Sequence, residues 1–205
     1  LRCQDNPEQF WLARNCAPSL VGIDDIIRHD LDGEMVEGSD HRPYLERFIH
    51  AAAFQRRGDI DAVVHSHSCS MVAFSVSKAQ NLVPVWHMAG FLGRNVSIFD
   101  TEDKFGSETD LLITDMEKAF ALADCLIDSD VALMRGHGAT IYGRTLPEAV
   151  YRAIYAELNA RILLNSATMG AFKALSAGEC IATVDRISPQ IGRAWDLWVR
   201  EVEED

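Results

Sequence analysis

No apolar run in this 205-residue chain approaches the roughly 18 residues needed to cross a bilayer, and no signal-peptide pattern opens it. Neither a membrane span nor secretion is expected. Basic side chains are few: 19 Lys and Arg stand against 31 Asp and Glu, a formal charge of −12. Nucleic acid and anionic lipid, which need a positive surface, are therefore not expected as general partners, although a local basic pocket is compatible with that balance. Cysteine is sparse and unpatterned. Cys3, Cys16, Cys69, Cys125 and Cys180 are odd in number and never spaced as CxxC, so they read as reduced, mostly buried thiols of a cytoplasmic protein. Repeats, low-complexity tracts and linkers are also lacking. The first residue is Leu1 rather than Met, and the expectation is that an N-terminal segment is missing. What is there is one domain over 1–205, 48% hydrophobic. A chain of that length buries about 70% of its unfolded surface and needs neither a disulfide nor a structural metal for stability.

Strand and helix patterns alternate along the chain. Asp5-Asn6-Pro7-Glu8 is a turn before an apolar stretch from Phe10 to Ala13, and Leu20 to Ile27 is a second short apolar segment. Asp32-Gly33 forms a hairpin-like turn between Leu31 and Met35. Pro43 fits the first turn of a helix running to about Arg57, with Leu45, Phe48, Ile49 and Ala52 at helical period. Ala62 to His65 is β-rich, and a short helix is expected from Cys69 to Ser77. Strands are expected at Val83–Val85 and Val96–Phe99, a helix from Thr109 to about Cys125, and two strands at Val131–Met134 and Ala139–Tyr142. Thr145 and Glu148 have capping-box spacing before a long helix, and a last amphipathic helix carries Ile191, Trp195 and Trp198. The pattern predicts a layered α/β protein with a mixed sheet.

Three histidines stand out. His65-Ser66-His67 follows a strand pattern, where residues two apart share a face, so both imidazoles would project together. Alone, such a pair is as readily two ordinary histidines at a strand edge. His137 lies between Gly136 and Gly138, which free the backbone to turn tightly and expose the ring. A third histidine beside an HxH pair gives a three-histidine site with open positions for water or substrate, typical of catalytic metals. Glu46 is the best carboxylate candidate, in the first turns of its helix where the dipole lowers its pKa. On spacing alone it reads more simply as a solvated surface glutamate. His87 is a weaker candidate for touching substrate, and as readily a core histidine. There is no GxSxG elbow and no GxxxxGK[ST] loop, and Gly136-His137-Gly138-Ala139-Thr140-Ile141 lacks the third glycine of a dinucleotide fingerprint.

These segments, in this order, resemble the class II aldolase/adducin superfamily. Glu46 lies 19 residues before His65, in a helix that leads through Asp59-Ile60-Asp61-Ala62 into Val63-Val64-His65-Ser66-His67. Leu133-Met134-Arg135-Gly136-His137-Gly138 is similar to the family's third-histidine segment, and the long helix after it also matches. The resemblance covers about residues 9 to 170. It implies that His65, His67 and His137 bind one divalent metal ion per chain and that Glu46 is the catalytic acid/base. Zinc suits three imidazoles by softness, with manganese or iron as alternatives. It also implies a three-layer α/β/α sandwich around a mixed, largely antiparallel sheet. The enzymes so implied are homo-oligomers, tetrameric or larger, with active sites at subunit interfaces and small-molecule substrates.

Two departures bear on the substrate. Sugar-phosphate members of the family carry Thr-Pro-Ser-Gly in an early loop and Ser-Ser directly before the glutamate. Here the loop reads Ala13-Arg14-Asn15-Cys16-Ala17-Pro18, and Tyr44-Leu45 precede Glu46. A flatter, less polar substrate is expected. With Arg42 to His50 and His87 to Gly93, the chain resembles the family's decarboxylase branch, which acts on hydroxylated aromatic or pyridine dicarboxylates. An aldolase or epimerase of a small hydroxy-carbonyl compound is the alternative, followed by a non-haem iron oxygenase. An adducin-like binding module is the least favoured reading, because adducin heads lack the metal histidines.

Overall fold

The computed structural model describes residues 1–36, 41–94 and 96–204. The chain opens with a hairpin of β1 (Gln9–Ala13) and β2 (Ile26–Asp30), paired antiparallel from Gln9↔Asp30 to Ala13↔Ile26. Two single 3-10 turns, at Pro18–Leu20 and Ile23–Asp25, fill the connection where one apolar segment was expected. The turn after β2 closes as predicted. Gly33 adopts φ +84° and donates to the Asp30 carbonyl, a left-handed position where a side chain would be strained.

Next come α1 (Arg47–Arg56), β3 (Ala62–Ser66), α2 (Cys69–Val76), β4 (Ser97–Phe99), α3 (Thr101–Phe105) and α4 (Met116–Asp124). The remainder is β5 (Val131–Met134), β6 (Gly138–Gly143), α5 (Leu146–Thr168), α6 (Ala177–Ile187) and α7 (Ile191–Glu204). The second sheet has the order β3-β6-β5-β4. Its pairs are antiparallel except β4–β5, so the sheet is mixed and mostly antiparallel as expected.

Alternation along the strands builds the layers. Ala132, Met134 and Tyr142 face one cluster with Ile49 and Phe54 of α1 and Leu122 of α4. Val131, Leu133 and Ile141 face the other, with Met71 and Phe74 of α2 and Ala156, Ala160 and Leu163 of α5. A two-residue period sends successive side chains to opposite faces, so the sheet is covered on both sides and the three-layer arrangement follows. Among the described residues no helix is long and apolar enough to cross a membrane.

Several expected boundaries shift. The first long helix begins at Arg47 rather than Pro43. The backbone before it is held elsewhere, with Asn15 N–H donating to the Arg42 carbonyl, and Glu46 is its N-cap, with φ −97° and ψ 29°. The helix expected from Thr109 begins at Met116, where the Asp115 carboxylate accepts from the Lys118 amide at 2.8 Å. Upstream, Leu111 has φ +66°, which no helix accommodates. Helices α3 and α6 were not anticipated. Only Cys3 and Cys180 of the five cysteines are buried, and Cys69 is exposed, which corrects the expectation of mostly buried thiols.

Val83–Val85 is not a strand. It is held by the fully buried Asn159 of α5, whose amide accepts from Val85 N–H and donates to the Val83 carbonyl, both at 2.9 Å, while the Pro84 carbonyl accepts from Leu175 N–H at 2.8 Å. Asn159→Ala leaves both backbone groups unsatisfied, at about 1–3 kcal/mol each. The expected loss of stability is roughly 2–4 kcal/mol in urea denaturation. A loss under about 0.5 kcal/mol would show that another group or water replaces the amide.

Candidate metal centre

β3 and β6 bring the histidines together. Their register pairs His65 with Thr140 and Ser66 with Ala139. The approach is close enough that a Cβ on Gly138 would lie 2.2 Å from the Ser66 carbonyl oxygen. Only glycine permits it. Between β5 and β6 the chain reverses through Arg135-Gly136-His137, with Gly136 at φ +67° and His137 N–H donating to the Met134 carbonyl. Ser75 of α2 anchors the turn by accepting from Gly136 N–H at 3.0 Å. His67 lies just past the end of β3. Ser68 and Ser70, on its C-terminal side, both donate to the Glu157 carboxylate of α5, the latter at 2.7 Å, which ties this loop to the long helix.

The three imidazole rings form a triangle with centroids 4.9 Å apart on every side. Their Nε2 atoms converge: His67 Nε2 is 3.1 Å from those of both His65 and His137. The far side of two rings is committed to backbone, His65 Nδ1 to the Ala139 carbonyl at 3.2 Å and His137 Nδ1 to the Leu111 carbonyl at 2.9 Å. A carbonyl can only accept, so both Nδ1 atoms carry hydrogen, and neutral rings then turn Nε2 lone pairs inward. Glu46, only 3% exposed, completes the cluster with Oε2 at 3.3 Å from His65 Nε2 and 3.4 Å from His137 Nε2. Its Oε1 accepts from Ile113 N–H at 3.0 Å.

This donor set fits a divalent ion. Four ligand atoms lie within 4.8 Å of one another. Tetrahedral zinc with bonds of about 2.0–2.1 Å would space its nitrogens roughly 3.3–3.4 Å apart, close to the 3.1 Å seen here. Converging lone pairs repel unless a cation or a proton lies between them, and a divalent ion would relieve that repulsion here. Burial pushes the Glu46 carboxyl up, but hydrogen bonds from His137, His65 and the Ile113 amide outweigh it and hold the group well below the usual carboxylate range. For His137, burial is outweighed by the Glu46 carboxylate and the pKa rises. Burial and then the neighbouring His65 and His137 lower that of His67.

Beside the cluster lies an open cleft of about 820 Å³, lined by Leu12, Ala13, Arg14, Cys16, Pro18 and Val21 from β1 and the connection after it, by Val63 to His67 of β3 and its end, and by Tyr44 and His50. Burial, and then the Glu46 carboxylate, push the Tyr44 phenol up to about 12, so it remains a hydrogen-bond donor. His50 is 5% exposed, and among the described residues its buried Nδ1 has no partner. Burial above all holds it well below the ordinary histidine range. An unpaired buried nitrogen costs about 1–3 kcal/mol.

The structure thus gathers Glu46, His65, His67 and His137, four of the five residues singled out in the sequence, into one cluster. His87 stands apart from it. It opens a 3-10 turn, His87–Leu92, and lines a second groove with Tyr151, Tyr155 and Trp198. Sequence reasoning missed the two backbone groups of the 111–113 segment and the cleft residues Arg14 and His50. The left-handed Leu111 carried no sequence signal, whereas His50 sits one helical turn after Glu46, a spacing that could have flagged it.

Known proteins repeat this framework. The model of the class II aldolase and adducin N-terminal domain matches residues 10–164. Decarboxylase tropJ of Talaromyces stipitatus is 36% identical, over 97% of this chain and 84% of its own. The 5-deoxy-D-ribulose 1-phosphate aldolase of Bacillus thuringiensis serovar kurstaki is 28% identical, over 76% of this chain and 68% of its own. Among solved structures, an aldolase II superfamily protein from Pseudomonas syringae superposes with a TM-score of 0.77 at 20% identity, over 96% of this chain and 79% of that one. The matched span runs from Phe10 in β1 to Leu164 in α5 and so contains all four cluster residues, which makes this chain a member of the class II aldolase and adducin family.

Proposed function

We propose that the protein is a metal-dependent carbon–carbon lyase that decarboxylates a hydroxylated aromatic or heteroaromatic carboxylate. The observation that carries this reading is the cleft beside the cluster. Its walls are largely aliphatic (Leu12, Ala13, Pro18, Val21, Val63 and Val64), and the position directly before the Leu45-Glu46 pair is the aromatic Tyr44. Such walls suit a flat ring better than a hydrated sugar phosphate. The 36% identity to a decarboxylase over nearly the whole chain supports the same reaction class.

When bound, a divalent ion held by His65, His67 and His137 would supply Lewis acidity to an oxygen of the substrate. Glu46, ionised in the resting site, accepts the hydroxyl proton of the substrate. The bond to the departing carboxylate breaks with its electron pair left on the ring carbon, and Glu46 returns the proton to that carbon as carbon dioxide leaves. The Ile113 amide fixes one oxygen of Glu46 and so aims the other. Leu12, Val21 and Val63 keep water from the ring. Ile181, Leu197 and Val202, all more than half exposed on α6 and α7, support the homo-oligomer that the family resemblance implies.

The test compares two chemistries in one zinc-, manganese- or iron-loaded preparation. Hydroxylated aromatic dicarboxylates should release carbon dioxide, while a ketose 1-phosphate should be cleaved slowly or not at all. Efficient retro-aldol cleavage with no carbon dioxide from any aromatic acid would move the assignment to an aldolase.

A further inference from the structure

We infer that Arg14 is a specificity-determining residue, the anchor for a second carboxylate on the substrate, remote from the metal histidines. This rests on the decarboxylase reading of the cleft and names the substrate class more closely. Arg14 follows β1 and lines the same cleft as His65 and His67. It is held rather than free. Its Nε donates to Asp25 Oδ1 at 2.5 Å, and Asp25 Oδ2 is itself occupied by the Gly22 amide at 2.9 Å. Both carboxylate oxygens of Asp25 are therefore spent on fixing the guanidinium and the turn beneath it.

The Nη1 and Nη2 groups remain. Among the described residues neither has a partner, and together they present the planar fork that pairs with a carboxylate through two parallel hydrogen bonds. Among the described residues no Asp or Glu lines the cleft. In a chain with a formal charge of −12, a lining whose described residues include an arginine and no carboxylate favours an anion. The Arg14 backbone is fixed as well, since its N–H donates to the Asp25 carbonyl and its own carbonyl accepts from Cys16, both at 2.8 Å. A guanidinium so constrained loses little freedom on binding, so it discriminates by geometry as well as charge. The rest of the lining is largely aliphatic, with Leu12, Val21, Val63 and Val64. The ligand that matches is a ring bearing a hydroxyl and carboxylate at one edge and a further carboxylate away from them.

The experiment measures affinity by calorimetry for the zinc-loaded protein with two probes. Salicylate carries one carboxylate beside its hydroxyl, and 4-hydroxyisophthalate adds a second across the ring. The wild type should bind the dicarboxylate at least tenfold more tightly. Arg14→Gln, which can still donate to Asp25, should erase that preference while leaving salicylate affinity within twofold, and Arg14→Lys should restore part of it. Equal affinities in the wild type, failure of the dicarboxylate to bind, or equal loss of both probes in Arg14→Gln would each overturn the anchor. The preference with no carbon dioxide released would support the anchor and count against decarboxylation. Carbon dioxide release with an unchanged KM for the dicarboxylate in Arg14→Gln would do the reverse.

Discussion

His67→Ala should lose its divalent ion on dialysis and, with it, essentially all turnover, while its melting temperature stays near that of the wild type. The side chain is exposed and its ring packs edge-on or tilted against the other two imidazoles rather than in the apolar core, so deletion opens no core cavity. It does remove the nitrogen that lies 3.1 Å from both remaining Nε2 atoms and thus closes the donor triangle. Changes to groups that merely orient metal ligands cost about 10–100-fold in affinity or activity, and loss of a ligand itself should exceed that. Metal analysis after dialysis against a weak chelator, beside a thermal melt, reads both quantities. Full occupancy in the variant would remove His67 from the ligand set.

Glu46→Gln should separate holding from chemistry. The amide keeps the size of the side chain and an oxygen for the Ile113 N–H, so fold and metal content should persist. It cannot carry a proton from the substrate hydroxyl to the ring carbon. Turnover should fall by about 10²–10⁴, the usual contribution of general acid–base catalysis, with little change in affinity for a non-reacting analogue. Parallel loss of metal would make Glu46 a ligand, a role its 3.3 and 3.4 Å distances to His65 and His137 also permit. Near-normal turnover would require a different proton carrier.

Much of this centre was legible before any coordinates. His65-Ser66-His67 needed only the strand period, and His137 only its flanking glycines, because both signals are local. Glu46 was different. Spacing alone favoured a surface residue, and its place in the centre came from the family resemblance. Its burial depends on α1 packing beneath the sheet, which no local pattern reveals. The Leu111 carbonyl and Ile113 amide were illegible for another reason: every residue has these groups, and only the irregular backbone after α3 aims two of them at the site. The missed helix α6 did carry a signal, since Ser176 and Glu179 form a reciprocal capping box. Val83–Val85 misled because its composition is that of a strand while what holds it is the Asn159 side chain, 76 and 74 residues away, and the Leu175 N–H.

The fate of one proton is decisive. The metal-loaded enzyme, turning over a hydroxylated aromatic dicarboxylate in deuterated water, should give a product with one deuteron at the carbon that lost its carboxylate, as read by proton NMR. The same protein stripped of metal should give none. A product formed without that label, or formed equally well without metal, would contradict a decarboxylation in which the histidine-held ion and Glu46 share the work.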